Sequence, residues 1–151
     1  MTPFDQAQRF IGVKETPGAV DNPLIVAMLR LDQTWPGHDE VPWCSAFVNW
    51  IAWLWRLPRS KSLAARSWLA VGTPVDLADS VVGFDVVIFK RGSGEQPGPE
   101  VLDAPGHVAF FAGFNASRDR VLVVGGNQGD AVTLSSFPIA DVIGVRRLSN
   151  V

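Results

Sequence analysis

Pro42-Trp43-Cys44-Ser45-Ala46-Phe47-Val48-Asn49-Trp50-Ile51-Ala52-Trp53-Leu54-Trp55 is the stretch that decides how this chain folds. A proline opening a helix costs nothing, because the first-turn N–H groups have no partner within the helix. Behind it, Trp43, Ala46, Phe47, Val48, Trp50, Ile51, Trp53 and Leu54 surround the axis on nearly every side. A helix apolar all round belongs at the centre of its domain. The spacing therefore predicts a buried helix over roughly 43–55. Asn49 and Arg56 interrupt the run, which is too short and too polar to span a bilayer.

Upstream, Thr2 and Pro3 start a first helix with Phe4, Ala7, Phe10 and Ile11 on one face, and Gly12 ends it. Asn22-Pro23 starts a second, in which Leu24, Ile25, Met28 and Leu31 recur at helical spacing. Residues 33–41, with Pro36, Gly37, His38, Asp39 and Glu40, read as a loop. Downstream, a shorter helix over 63–70 stops at Gly72. Strands are then expected at 84–90, 107–114, 120–124, 131–135 and 142–148, with a long Gly- and Pro-rich loop over 91–105. Helices followed by strands make an α+β domain. Its central helix should pack on a five-stranded antiparallel sheet or half-open barrel.

Composition narrows the function. The chain has 151 residues, 47% of them apolar and 19% charged, enough for one domain over 1–151 and inconsistent with disorder. Its net charge is −2 and its Lys and Arg are scattered, so no nucleic-acid stripe is expected. Met1 to Asp5 hold neither a basic patch nor an apolar core, so no signal peptide is expected. One cysteine forms no internal disulfide, and with two histidines it makes a poor zinc site. We expect no metal, no cofactor and a monomer.

Three positions carry chemistry. Cys44 lies in the opening turn of the buried helix, where free N–H groups and the helix dipole favour a thiolate; a buried free cysteine is equally a small hydrophobe. His107 follows Pro105-Gly106 at the mouth of an apolar strand, placed for a general base to a thiol nucleophile. His38 is the only other histidine and sits in a loop. Asn127 lies in Gly125-Gly126-Asn127-Gln128, after the strand expected beside that of His107, where a side-chain amide could fix the imidazole tautomer. Gly-Gly-Asn is also ordinary turn chemistry. Asp130 and the adjacent Gln128 are alternative orienters, although strand alternation from Val121 favours odd positions and hence Asn127. Helix cysteine, strand histidine and a polar residue on the next strand stand in papain-like order.

The string from Asp39 to Trp50 resembles the nucleophile helix of bacterial and phage cell-wall amidohydrolases, near the CHAP and NlpC-type cysteine peptidases and a small phage-associated subgroup of them. Ala64-Ala65-Arg66-Ser67-Trp68-Leu69, Gly106-His107-Val108-Ala109-Phe110-Phe111 and Gly125-Gly126-Asn127-Gln128 are similar to the same group, as are Gly12 to Glu15, Pro17-Gly18 and Asn22-Pro23. The resemblance implies a papain-like fold that hydrolyses an amide of the peptidoglycan stem peptide without a metal. It assigns Cys44 as nucleophile, His107 as base and acid, and Asn127 as orienter. CHAP members often carry a Gln before the cysteine; none stands immediately before Cys44. Trp43, Asp39, Glu40, Arg66, Trp68 and Gln128 are the candidates for holding substrate, with core packing, helix-end acids and ion pairing as their structural alternatives. The implied route is synthesis in the cytoplasm and release to the wall by a phage or a secretion machine. A cysteine hydrolase or acyltransferase on another amide, or a non-catalytic wall-binding domain, are the competing readings.

Overall fold

The computed structural model describes residues 1–16, 21–34, 42–92 and 94–149. Thr2 caps α1 (Pro3–Gln8) through a reciprocal box with Asp5, and Asn22 caps α2 (Pro23–Leu29) by accepting the Leu24 N–H. Both helices are shorter than their apolar spacing suggests. The central helix α3 (Cys44–Leu54) buries Cys44 to Asn49 and then Ile51 and Ala52, and it packs against α1, α2 and the sheet. Its far end departs from expectation: Trp53 and Leu54 are exposed, so the helix runs from the core to the surface. The polar members of α3 are used internally. Ser45 Oγ donates to the Ser62 carbonyl (2.6 Å), and Asn49 Oδ1 accepts the Lys61 N–H (3.0 Å). These bonds fasten the chain leaving α3 back onto its buried flank.

The segment expected as a short helix is a 3-10 turn, Ala65–Ala70. Among the described residues six strands follow, not five: β1 (Thr73–Val75), β2 (Asp85–Lys90), β3 (Gly106–Phe114), β4 (Arg120–Gly125), β5 (Thr133–Pro138) and β6 (Val142–Arg147). They form one antiparallel sheet in the order β1-β6-β2-β3-β4-β5. Three residues including Pro74 give no alternation to read, and β1 exists only because β6 pairs with it.

Both faces of the sheet are covered. Val86, Ile88, Val108, Phe110 and Val124 pack under the helices. Val87, Phe89, Ala109, Phe111, Val121 and Val123 form a second cluster with Phe137. Along β3 the even positions therefore face α3 and the odd ones, His107 included, face away. Asp85 is fully buried and accepts two bonds from Arg147 (both 2.8 Å), joining β2 to β6 at the end far from His107.

Candidate active site

Cys44 is the first residue of α3 and is 4% exposed. The backbone N–H groups of Val108, the residue after His107, and of Ser45 and Cys44 favour its thiolate. Strand β4 pairs with β3 only from Phe110 onward, so the start of β3 offers its edge to the helix end instead. Burial outweighs these N–H groups and the nearby Arg91 cation, and pushes the thiol above its ordinary value. The helix-end effect read from the sequence is present; desolvation overrules it. Alkylation of Cys44 should accordingly be slow at pH 7 and climb with pH through and beyond 9, measured as adduct formation by mass spectrometry. A rate already saturated below pH 8 would contradict this.

His107 is buried on the opposite face of β3, its ring between Phe89 (6.1 Å) and Phe137 (5.1 Å). Its Nε2 lies 2.8 Å from Gln128 Oε1. The direction of that bond is fixed by what the amide does at its other end. Gln128 Nε2 donates to the Thr133 carbonyl (2.8 Å) and to Thr133 Oγ1 (3.1 Å), so Oε1 must be the atom facing the ring. Nε2 then carries the proton and Nδ1 keeps a free lone pair. Desolvation first, and Arg91 more weakly, pull His107 down to about 4 against the opposing Gln128 bond. The imidazole is neutral at pH 7.

That depressed value has a signed consequence. Between about pH 4 and 6.5 the unfolded histidine is protonated and the folded one is not, so the unfolded chain binds more protons. The contribution of His107 to stability is whole above pH 6.5 and lost as pH falls toward 4, at most about 3 kcal/mol. Denaturant unfolding of wild type and His107→Leu across pH 4 to 7 should show a steeper rise with pH in wild type. Parallel curves would contradict the buried neutral ring.

The side chain that bonds the His107 ring is thus that of Gln128, not that of Asn127. Strand alternation fails here because Gly125 and Gly126 end the strand. A Cβ at Gly125 would lie 2.8 Å from Gln128 Oε1, and one at Gly126 would lie 2.7 Å from the Trp43 ring. Asn127 takes a left-handed conformation (φ 56°) that turns the chain and brings the next side chain under His107. Asp130 is exposed, and its carbonyl accepts the Glu15 N–H.

The substrate candidates divide. Trp43 is fully buried, its Nε1–H donating to Glu15 Oε2 (3.0 Å); Trp68 is likewise buried and donates to Ser45 Oγ (2.9 Å). Both are core residues rather than cleft residues. Arg66 is 0% exposed and clamps the long loop, donating from Nε to the Pro105 carbonyl (3.0 Å) and from Nη1 to Pro97 (2.9 Å) and Gly98 (2.7 Å). Its work is to hold the approach to Gly106 and His107. Asp39 and Glu40, like His38, Pro17 and Gly18, lie outside the described residues.

A cavity of about 720 Å³ opens on the His107 face, bounded by the ends of β2 and β5 and the turn after β4. His107, Asn127 and Gln128 line it together; Cys44 does not. Sequence reading missed its outer wall, formed by Lys90, Arg91 and Asp141. Among the described residues no group of His, Cys, Asp and Glu is arranged to hold a metal, and no helix is long and apolar enough to cross a membrane.

Among solved structures the chain is similar to NlpC1 from Trichomonas vaginalis, with a TM-score of 0.54 over 97% of this chain. The fold is NlpC-like. Identity is 13%, so the likeness is one of fold, and the chain spans 42% of that protein's length. No protein-family model and no curated protein matches it. An NlpC-like fold agrees with the α+β reading and with a sheet packed on a cysteine-bearing helix, and corrects the strand number to six among the described residues.

Proposed function

We propose that this chain is a cysteine hydrolase of the peptidoglycan stem peptide, an amidase or endopeptidase, in which Cys44 is the nucleophile, His107 the base and then the acid, and Gln128 the orienting residue. The observation that carries the proposal is the 2.8 Å contact between His107 Nε2 and Gln128 Oε1, with the amide itself fixed by Thr133. A structural histidine in an apolar pocket needs one partner of either polarity. A base needs its tautomer held so that one nitrogen stays open. The substrate class comes from the sequence resemblance, and the NlpC-like fold is in keeping with it.

The resting pair is a neutral thiol and a neutral imidazole. As the sulfur attacks an amide carbonyl, its proton passes to His107 Nδ1, and the imidazolium forms only with the tetrahedral intermediate. Gln128 Oε1 accepts from the Nε2–H throughout. The N–H groups at the start of α3, Cys44's own among them, are the donors available to the oxyanion. The imidazolium then protonates the departing amine and leaves a thioester. Water, deprotonated by His107, attacks the thioester; the acid leaves and the thiol is restored.

Delivery by phage-type lysis or entry enters the proposal through the sequence resemblance alone. Modification by iodoacetamide tests the chemistry: alkylated Cys44 should leave no hydrolysis of sacculi, and retained hydrolysis would defeat the assignment. A non-catalytic wall-binding domain would retain its binding under the same treatment and release no fragments beforehand.

A further inference from the structure

The cavity beside His107 is larger than a single side chain requires and falls within the range of small-molecule pockets. Its floor is aromatic, with Phe89 and Phe137 around the imidazole. Its outer wall is charged. Lys90 ends β2 and Arg91 follows it, and among the described residues neither forms an ion pair. Asp141 ends the 3-10 turn just before β6, beside them because Phe89 is registered with Val142, yet it pairs with neither cation. Two cations against one carboxylate leave the wall net positive. His107 lines the same cavity as Lys90 and Arg91, so an anion seated there would share it with the imidazole.

We propose that Lys90 and Arg91 form an anion subsite that selects substrates presenting a free carboxylate next to the scissile amide. This rests on the hydrolase reading above and deepens it. An apolar floor with unpaired cations at its rim is the arrangement that desolvates the carbon chain of a ligand while orienting its carboxylate. The stem peptide offers that chemistry in two places, the α-carboxylate of its γ-linked D-glutamyl residue and its C-terminus. Amidation of the right one removes the charge and keeps the shape.

The test uses the Cys44→Ala protein, so that binding is read without turnover. It is titrated by calorimetry with L-Ala-γ-D-Glu-L-Lys-D-Ala and with the two forms amidated at the D-glutamyl α-carboxylate or at the C-terminus. One amidated form should bind about tenfold more weakly, which identifies the carboxylate. Adding Lys90→Gln and Arg91→Gln should make all three peptides bind alike, with an unchanged thermal midpoint confirming the fold. Arg91→Glu should reverse the preference. Equal affinity for all three peptides, no binding of any, or a preference that survives the double substitution would each overturn the subsite. A charge preference in a protein whose wild type cleaves nothing would uphold the subsite and defeat the hydrolase reading instead.

Discussion

Gln128→Leu should lower kcat on wall fragments by about 10²- to 10³-fold with little change in KM, because the side chain touches His107 and not the scissile bond. The loss follows from the tautomer. Without Oε1 to accept the Nε2–H, the ring is free to carry its proton on Nδ1, the nitrogen that must receive the thiol proton. Leucine fills similar space, so the fold should persist, although Thr133 loses two bonds from the amide. Asn127→Gly is the matched control. It suits the left-handed backbone at φ 56° and should change kcat by about twofold or less. The ordering Gln128 far above Asn127 is what the geometry requires. Equal losses at the two positions, or a greater loss at Asn127, would return the orienting role to the residue that strand alternation favours.

Trp43→Ala should destabilise the protein by about 3–5 kcal/mol, measured by denaturant unfolding. The indole is fully buried, its ring lies against Gly126, and its N–H is held by Glu15. Removing it opens a cavity at the start of α3 and takes the indole donor from Glu15. Trp43→Phe separates these effects: it keeps most of the packing and should cost about 1 kcal/mol for the lost hydrogen bond, beyond the change in ring size. If Trp43→Ala instead left stability intact and raised KM, the residue would belong to a substrate cleft and its placement in the core would be wrong.

These two residues also show what the sequence made legible. Local signals were readable: Thr2 and Asn22 as caps, Cys44 at a helix start, His107 at a strand mouth. Each depends on neighbours within a few positions. The burial of the central helix is legible in its apolar pattern, but the distant partners that bury each residue are not. Nothing in Trp43-Cys44 separates a cleft indole from a core indole until Gly126, more than eighty positions on, comes to lie against it. Arg66 has the same history, because its partners are backbone carbonyls of a distant loop, which carry no residue signature. Period-two alternation points Asn127 toward the His107 face, but two glycines end the strand first and the hydrogen bond to the ring comes from the next position, Gln128. Those glycines were visible, and the close approaches at both were the reason for them. The thiol shows the same division: a helix start favours the thiolate locally, and the tertiary burial that opposes it is invisible in one dimension.

The central claim is that Cys44, served by His107, breaks an amide of the wall peptide. The direct measurement is mass spectrometry of soluble fragments from purified Gram-negative sacculi, digested in parallel by wild type and by Cys44→Ala. The account predicts fragments from wild type alone. Free stem peptides beginning with L-alanine would mark an amidase, and shortened stems an endopeptidase. Equal release by both proteins, or release by neither, would contradict it for that wall.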